Sequence, residues 1–430
     1  MLDYLNYIFG FFFSSWWLFL PLVTYYIVRD KHLLTVRFNY LGSVKQVHLE
    51  VKIPAGVTKT ARAMEEVFSS LSGVYRPGNW YRRFIDGFIP PYYIFMLVLH
   101  DHRLKFYIRC PEVLKDFVMS RIYSQYPDAI INEVEEPLVD LPPEAPNPTY
   151  DIWGSDFKFG HPVNNSQVYP LRTYDVWEKL PEEQQIDPIS VISEGSNHIS
   201  EKEWLIFQIF AMPVLGNDEL FGGKWKDEGK KVVDKLIGRK EDEEPGPFAY
   251  IVEFMKNLFL APFTQIEWKV GQKDEKERQW PTLMQHLTPA EKEKVAGVEN
   301  KISKPGFYSG LRAAYVGKRD VFDTNLSKNR ALIFGFLKIF EGFNILIPDQ
   351  NMITTVSYPN FHYNEKLFFR RKYLYFYLKG EFRPDSLFLL NSEELASLYH
   401  IPLKVVPPPG LEREMVKKIP PPPEIPLAEF

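Results

Sequence analysis

Two histidines, His100 and His102, stand two residues apart, a spacing that could put both imidazoles on one face of a strand and begin a metal site. No third ligand accompanies them, so turn residues are the plainer reading and no metal is expected. The alternation Arg103, Lys105, Tyr107 and Arg109 could touch phosphates through three cations and stack a base on the tyrosine between them. Glu50 and Glu133 on neighbouring segments oppose that reading, and a solvated or subunit-contacting face stands beside it. Cys110 closes an apolar run and reads as core rather than as a nucleophile. A phosphate cradle would need closely spaced glycines followed by Lys and then Ser or Thr. The nearest string, GNDELFGGKW, has the wrong glycine spacing and places Trp225 where the magnesium-binding hydroxyl belongs. Nothing resembles an HExxH helix or a nucleophile elbow. No catalytic residue and no cofactor are therefore expected.

Composition narrows the classes further. The 430-residue chain carries a formal net charge of −4, against the strong basic bias of a nucleic-acid binder. A single cysteine excludes an intrachain disulfide and any CxxC knuckle. Aromatic residues make up 16%, and 35 prolines predict many hard boundaries between elements. Both fit a large α+β scaffold.

The elements that would position any site begin with Tyr4 to Val28, twenty-five consecutive uncharged residues. A helix of that length exceeds the roughly 30 Å hydrocarbon core of a bilayer, so the stretch predicts a retained transmembrane anchor (1–32). A secretory signal peptide, the rival reading, lacks a basic start and a small-residue cleavage site here. Trp16 and Trp17 fall mid-span, while Tyr25 and Tyr26 fall at headgroup level. Asp3 precedes the span and Arg29, Lys31 and Arg37 follow it, which predicts the N-terminus outside and the bulk of the chain cytoplasmic.

The body then reads as two ferredoxin-like βαββαβ modules. In the first (33–136), Gln46 to Pro54 alternates as a half-buried strand, Thr60 caps a helix to Ser72, and Tyr92 to Leu99 is apolar on both faces. Arg103 to Cys110, a helix from Pro111 to about Gln125, and Ala129 to Glu135 complete it. Residues 137–170 read as a linker, with five prolines in the twelve residues from Pro137 to Pro148. The second module (171–403) opens with RTYDVWE as a strand and a helix capped by Asp187 with Pro188 at its first position. Trp204 to Val214, Gly306 to Val316, a helix from Asp320 and the strand FNILI follow. An insertion at 216–300 carries Lys224 to Glu244, where fourteen of twenty-one residues are charged, and the nearly all-apolar helix PFAYIVEFMKNLFLAPF. RRKYLYFYLKG reads as a strand or helix tail, and SLFLLNSEELASLYHIP as a strand and a helix capped by Asn391 with Glu394 at N3. The tail 404–430 holds eight prolines and is expected to be extended and poorly ordered.

LEVKIPAGVTKTARAMEEVFSSL, YSQYPDAIINEVEE, YDIWGSDF, RTYDVWEKLPEEQQIDPISVISEG, KISKPGFYSGLRAAYVGKRDVFDTNLSKNRALIFGF and LFLLNSEELASLYHIP together resemble one family. It is the amino-terminal region of membrane-anchored proteins of candidate-phylum bacteria, related to conjugative type IV secretion. In longer members a HerA/FtsK-type ATPase follows a proline-rich linker. This chain stops at such a linker and has no P-loop, so no ATPase function carries over. The resemblance implies a membrane anchor and a paired α+β scaffold, with a bilayer, further copies of the chain and a separate HerA/FtsK-type ATPase as partners. The expectation is a non-catalytic scaffold. A single-stranded nucleic-acid adaptor using Arg103, Lys105, Tyr107 and Arg109, and an enzyme whose site is assembled from scattered residues, are the alternatives.

Overall fold

The computed structural model describes residues 2–54, 59–138, 140–160, 167–181, 187–216, 224–237, 287–355, 363–380, 387–402 and 413–414. Of residues 2–19, 22, 53, 54, 363, 413 and 414 only the backbone is described. Most of the expected insertion, including PFAYIVEFMKNLFLAPF, and nearly all of the proline-rich tail lie outside this set.

Among the described residues a single ten-stranded sheet forms the centre. Its strands are β1 (Gln46–Pro54), β2 (Tyr93–His100), β3 (Arg103–Pro111), β4 (Ile130–Val134), β5 (Tyr150–Phe159), β6 (Glu203–Val214), β7 (Gly306–Lys318), β8 (Leu346–Pro348), β9 (Phe388–Asn391) and β10 (Arg413–Glu414). The main path runs β10-β1-β3-β2-β6-β7-β5-β8, with β4 also on β1 and β9 on β7. Every pairing is antiparallel except the two-residue β10. The seam between the halves is β2 on β6, in register from Tyr93↔Ala211 to His100↔Trp204. This corrects the expectation of two ferredoxin-like modules: the halves share one large sheet. The physical reason lies in the two seam strands, both apolar on both faces. Such a strand cannot sit at an edge, where one row of backbone groups would face water, so each completes the other.

Tyr150–Phe159, inside the stretch read as linker, is an interior strand, buried along most of its length. RTYDVWE, read as a strand, forms helix instead, as Tyr174–Glu178.

The helices are α1 (Leu2–Ser43), α2 (Ala61–Ser72), α3 (Trp80–Phe84), α4 (Lys115–Gln125), α5 (Tyr174–Glu178), α6 (Pro188–Ser196), α7 (Trp225–Leu236), α8 (Pro289–Ser303), α9 (Arg319–Lys338), α10 (Tyr363–Lys379) and α11 (Ser392–Leu398). One sheet face is closed by α2, α4, α6, α9 and α11 over a core that includes Leu49, Phe68, Phe95, Phe207, Phe307 and Phe336. The ring of Phe68 contacts Phe95 edge-on at 4.8 Å and Phe307 at 6.2 Å, so α2 is held by strands from both halves. Fully burying such a side chain contributes about 1.5–3 kcal/mol. The opposite face, including Ile94, Met96, Ile206 and Val316, is covered by Leu138, Leu141 and Ala145 and by α10 through Leu374, Tyr375 and Leu378.

Among the described residues no helix is long and apolar enough to cross a membrane. This corrects the expected single-pass anchor at Tyr4 to Val28, and the placement of the body in the cytoplasm, which rested on it, falls with it. The apolar stretch is not an element of its own: it is the first part of α1, a 42-residue helix that continues through Arg29, Asp30, Lys31 and Arg37. Tyr25 and Tyr26 are 63% and 49% exposed, while the side chains of Trp16 and Trp17 lie outside the described residues. The helix meets the body near its C-terminal end. Tyr40 contacts Phe88 edge-on at 5.6 Å, and Gly87, at φ +69°, lies so close that a Cβ there would sit 2.4 Å from the Val36 carbonyl.

Candidate functional site

The residues singled out from the sequence do not converge. His100 stacks on Trp204 at 4.6 Å and its Nδ1 lies 2.9 Å from the Glu203 carbonyl, while the His102 Nδ1 lies 2.9 Å from the Asn197 carbonyl. Asp101 and His102, at φ 48° and 60°, form the two-residue hairpin turn between β2 and β3. Among the described residues no group of three His, Cys, Asp or Glu side chains is placed to hold a metal. Cys110 is buried, and burial pushes its thiol up to about 12, far from the range of a reactive thiolate. The basic strand is β3, interior to the sheet between β1 and β2. Arg103 is exposed and Lys105 and Arg109 are half-buried, but Tyr107 is 6% exposed and its hydroxyl reaches Glu50 Oε1 at 3.5 Å. Its ring belongs to the core under that face rather than to a stacking platform.

The densest polar cluster instead joins four distant segments. Lys301, on α8, is fully buried and its ammonium reaches Glu394 Oε1 at 3.1 Å and the carbonyls of Leu389 and Tyr169 at 3.1 and 3.3 Å. Glu394, equally buried on α11, also accepts from the backbone N–H of Leu171 at 2.8 Å and of Asn391 at 2.9 Å. Burial drives the Lys301 amine down and the Glu394 carboxyl up, and each partner opposes the other's shift. One turn away Lys304 bridges Glu65 and Glu393, 2.7 Å from each. Burial alone would lower the Lys304 amine, but hydrogen bonds to Glu393 and Glu65 outweigh it and hold the amine above its ordinary value. Glu393 also accepts from Thr173 Oγ1 at 2.5 Å and from Asn300 Nδ2 at 2.8 Å, and Tyr174 donates to Glu65.

Paired carboxylates beside a lysine are the raw material of acid–base catalysis, but a catalytic group needs an oxygen left for substrate. Here every oxygen of Glu65, Glu393 and Glu394 already accepts a donor. The cluster is a clamp binding α2, α5, α8 and α11. Two further buried charged sites are closed in the same way. Asp156 and Arg312 face each other across β5 and β7 at 2.6 and 3.0 Å. Glu203 accepts from Tyr315 at 2.6 Å, Ser200 Oγ at 2.8 Å and Asn325 at 2.9 Å. Burial raises the Glu203 carboxyl, but these hydrogen bonds prevail and hold it below its ordinary value. None of these roles was legible in the sequence. The local cap of α11 was, since Asn391 and Glu394 form the expected reciprocal capping box.

His400 extends the clamp to α6. Its Nδ1 faces the Ala396 carbonyl at 2.9 Å and its Nε2 faces Asp187 Oδ1 at 3.0 Å, so the doubly protonated ring satisfies both acceptors. Asp187 also caps α6 by accepting from Ile189 N–H. Burial lowers the His400 imidazole, yet the Asp187 carboxylate and the Ala396 carbonyl together hold it above its ordinary 6.5. A raised folded value contributes stability that is fully present below about pH 6.5 and lost as pH rises through the folded value. Urea unfolding across pH 5.5–9 is expected to show that loss in the natural chain and not in His400→Gln. Parallel pH profiles for the two proteins would contradict it.

No known family and no curated protein matches this chain. The type IV secretion and conjugation association drawn from the resemblance gains no support from the comparisons or from the fold, and is set aside together with the anchor.

Proposed function

We propose that the chain is a non-catalytic assembly scaffold, one rigid sheet that presents helical surfaces to further copies of itself. The observation that carries this reading is α10. Its inward face, Leu374, Tyr375 and Leu378, packs on the sheet. Its outward face is also apolar: Phe369, Tyr373 and Phe376, at helical spacing i, i+4 and i+7, are 66%, 43% and 62% exposed, with Phe368 beside them at 45%. A helix apolar on both sides requires burial on both. The same stripe on two copies is self-complementary about a two-fold axis, the commonest symmetry of soluble oligomers. The sealed state of the buried carboxylates supports the non-catalytic half of the reading.

Light scattering after size exclusion tests it. The full chain is expected to run as a dimer or larger at micromolar concentration, and Phe369→Ser/Phe376→Ser to weaken association at least tenfold with unchanged melting. A monomeric natural chain, or an assembly indifferent to both substitutions, would sink the proposal.

A further inference from the structure

A cleft of about 440 Å³ opens beside α3, where the chain passes from α2 to β2. Among the described residues its charged lining groups are Arg76 and Arg82, set among Gly78, Asn79, Phe88 and Pro91. We infer that this cleft binds a phosphate-bearing anion through its two guanidinium groups. The reasons are chemical and geometric. Guanidinium is planar, always charged and matched to two phosphate oxygens at once. Among the described residues no carboxylate lines the cleft to neutralise the pair.

The surroundings concentrate the same charge. Residues 29–43 and 73–91, which meet at the foot of α1, carry six basic side chains against two acidic, in a chain whose net charge is −4. Such a local reversal draws anions to one spot on an otherwise acidic protein.

The frame of the cleft is fixed. Asn79 Oδ1 accepts from the Arg82 N–H at 3.0 Å and sets the start of α3. Phe88 is held edge-on against Tyr40 at 5.6 Å, and Gly87 packs against the α1 backbone, as described above. Prolines at 77, 90 and 91 restrict the turns on either side.

The rim favours one source of phosphate. Trp80, Tyr81 and Ile85 are 68%, 59% and 45% exposed, and Trp80 stacks on Phe84 at 5.3 Å. Amphipathic rings next to arginine suit the level of phospholipid headgroups, whereas a small soluble phosphate gains nothing from them. Contact of this kind is peripheral and requires no helix to cross the bilayer.

The test uses the full chain in two arms. Calorimetric titration with glycerol 3-phosphate and with inorganic phosphate measures the bare group. Flotation with vesicles of phosphatidylglycerol, and of phosphatidylcholine as control, measures the headgroup in a surface. Arg76→Ala/Arg82→Ala is expected to weaken phosphate-dependent binding at least tenfold, with Arg62→Ala, an exposed arginine on α2, as the unaffected control. Both cleft arginines are exposed, so melting of the double variant should match the natural chain and separate lost binding from lost folding. Vesicle binding that also falls in Trp80→Ala/Tyr81→Ala would support the headgroup as the source. Binding of glycerol 3-phosphate that ignores the rim residues would support the site with a free phosphate as its ligand. Absence of binding in both arms, or binding equal in natural and double-arginine variants, would overturn the inference.

Discussion

Replacing Arg312 by methionine is expected to cost about 3–5 kcal/mol, the range for removing one partner of a buried ion pair. Arg312 is fully buried on β7, and its guanidinium is spent three ways: Nε and Nη2 on the two oxygens of Asp156, and Nη1 on the Tyr377 carbonyl of α10. Methionine fills much of the volume but takes from the Asp156 carboxylate, 1% exposed, the guanidinium that both its oxygens face, and removes the Arg312 Nη1 donor from the Tyr377 carbonyl. The loss therefore comes from uncompensated burial, not from a missing attraction, and that distinction can be measured. Arg312→Met/Asp156→Val, which removes both charges, should recover most of the stability because the expensive orphan is gone. In thermal unfolding the single variant should melt roughly 5 °C lower and the double variant much closer to the natural chain. If the double variant is no more stable than the single, the pair is not the source of the effect. Loss of α10 packing should accompany the single variant, and with it any association that uses the outward aromatic stripe.

Lys301→Met is expected to have a comparable effect, again about 3–5 kcal/mol, but a different footprint. Glu394 is the hub: it holds the Lys301 ammonium, the first backbone N–H of its own helix cap at Asn391, and the N–H of Leu171. Without the cation its carboxyl is pushed further in the direction burial already drives it, upward, and a protonated carboxyl gives up acceptor capacity to its backbone donors. The cap of α11 and the 169–174 segment should therefore loosen together, though they are more than two hundred residues apart. Hydrogen exchange is the readout, with faster exchange expected at Leu171, Tyr174 and residues 391–400 and little change at the β2–β6 seam. Lys301→Arg should not rescue, because a guanidinium is too broad for a site that meets a compact ammonium with three acceptors at 3.1–3.3 Å. Uniform acceleration over the whole sheet would mean that the clamp is not a local unit.

The sequence by itself determined what nearest neighbours decide. Alternation placed Val47, Leu49 and Val51 on the buried face of β1, and they are 5%, 0% and 5% exposed. Asp187 followed by Pro188 marked the start of α6, and Asn391 with Glu394 the start of α11, because a cap is made within three residues of itself. The same logic failed on RTYDVWE. Alternation there would pair Tyr174 with Val176, whereas the helix buries Tyr174 with Trp177 and leaves Val176 43% exposed. Five residues are too few for two periods to be told apart.

Only the tertiary structure decided which strand meets which. An apolar run such as β2 or β6 demands neighbours on both sides but does not name them, so the seam that makes one sheet of two halves had no local signature. The buried charges are the same case. Glu394 finds Lys301 across 93 residues and Arg312 finds Asp156 across 156, and in the sequence each is one of many charged residues indistinguishable from a solvated one. Burial, which turns an ordinary charge into a clamp, is a property of the packed chain and is written in no short stretch of it.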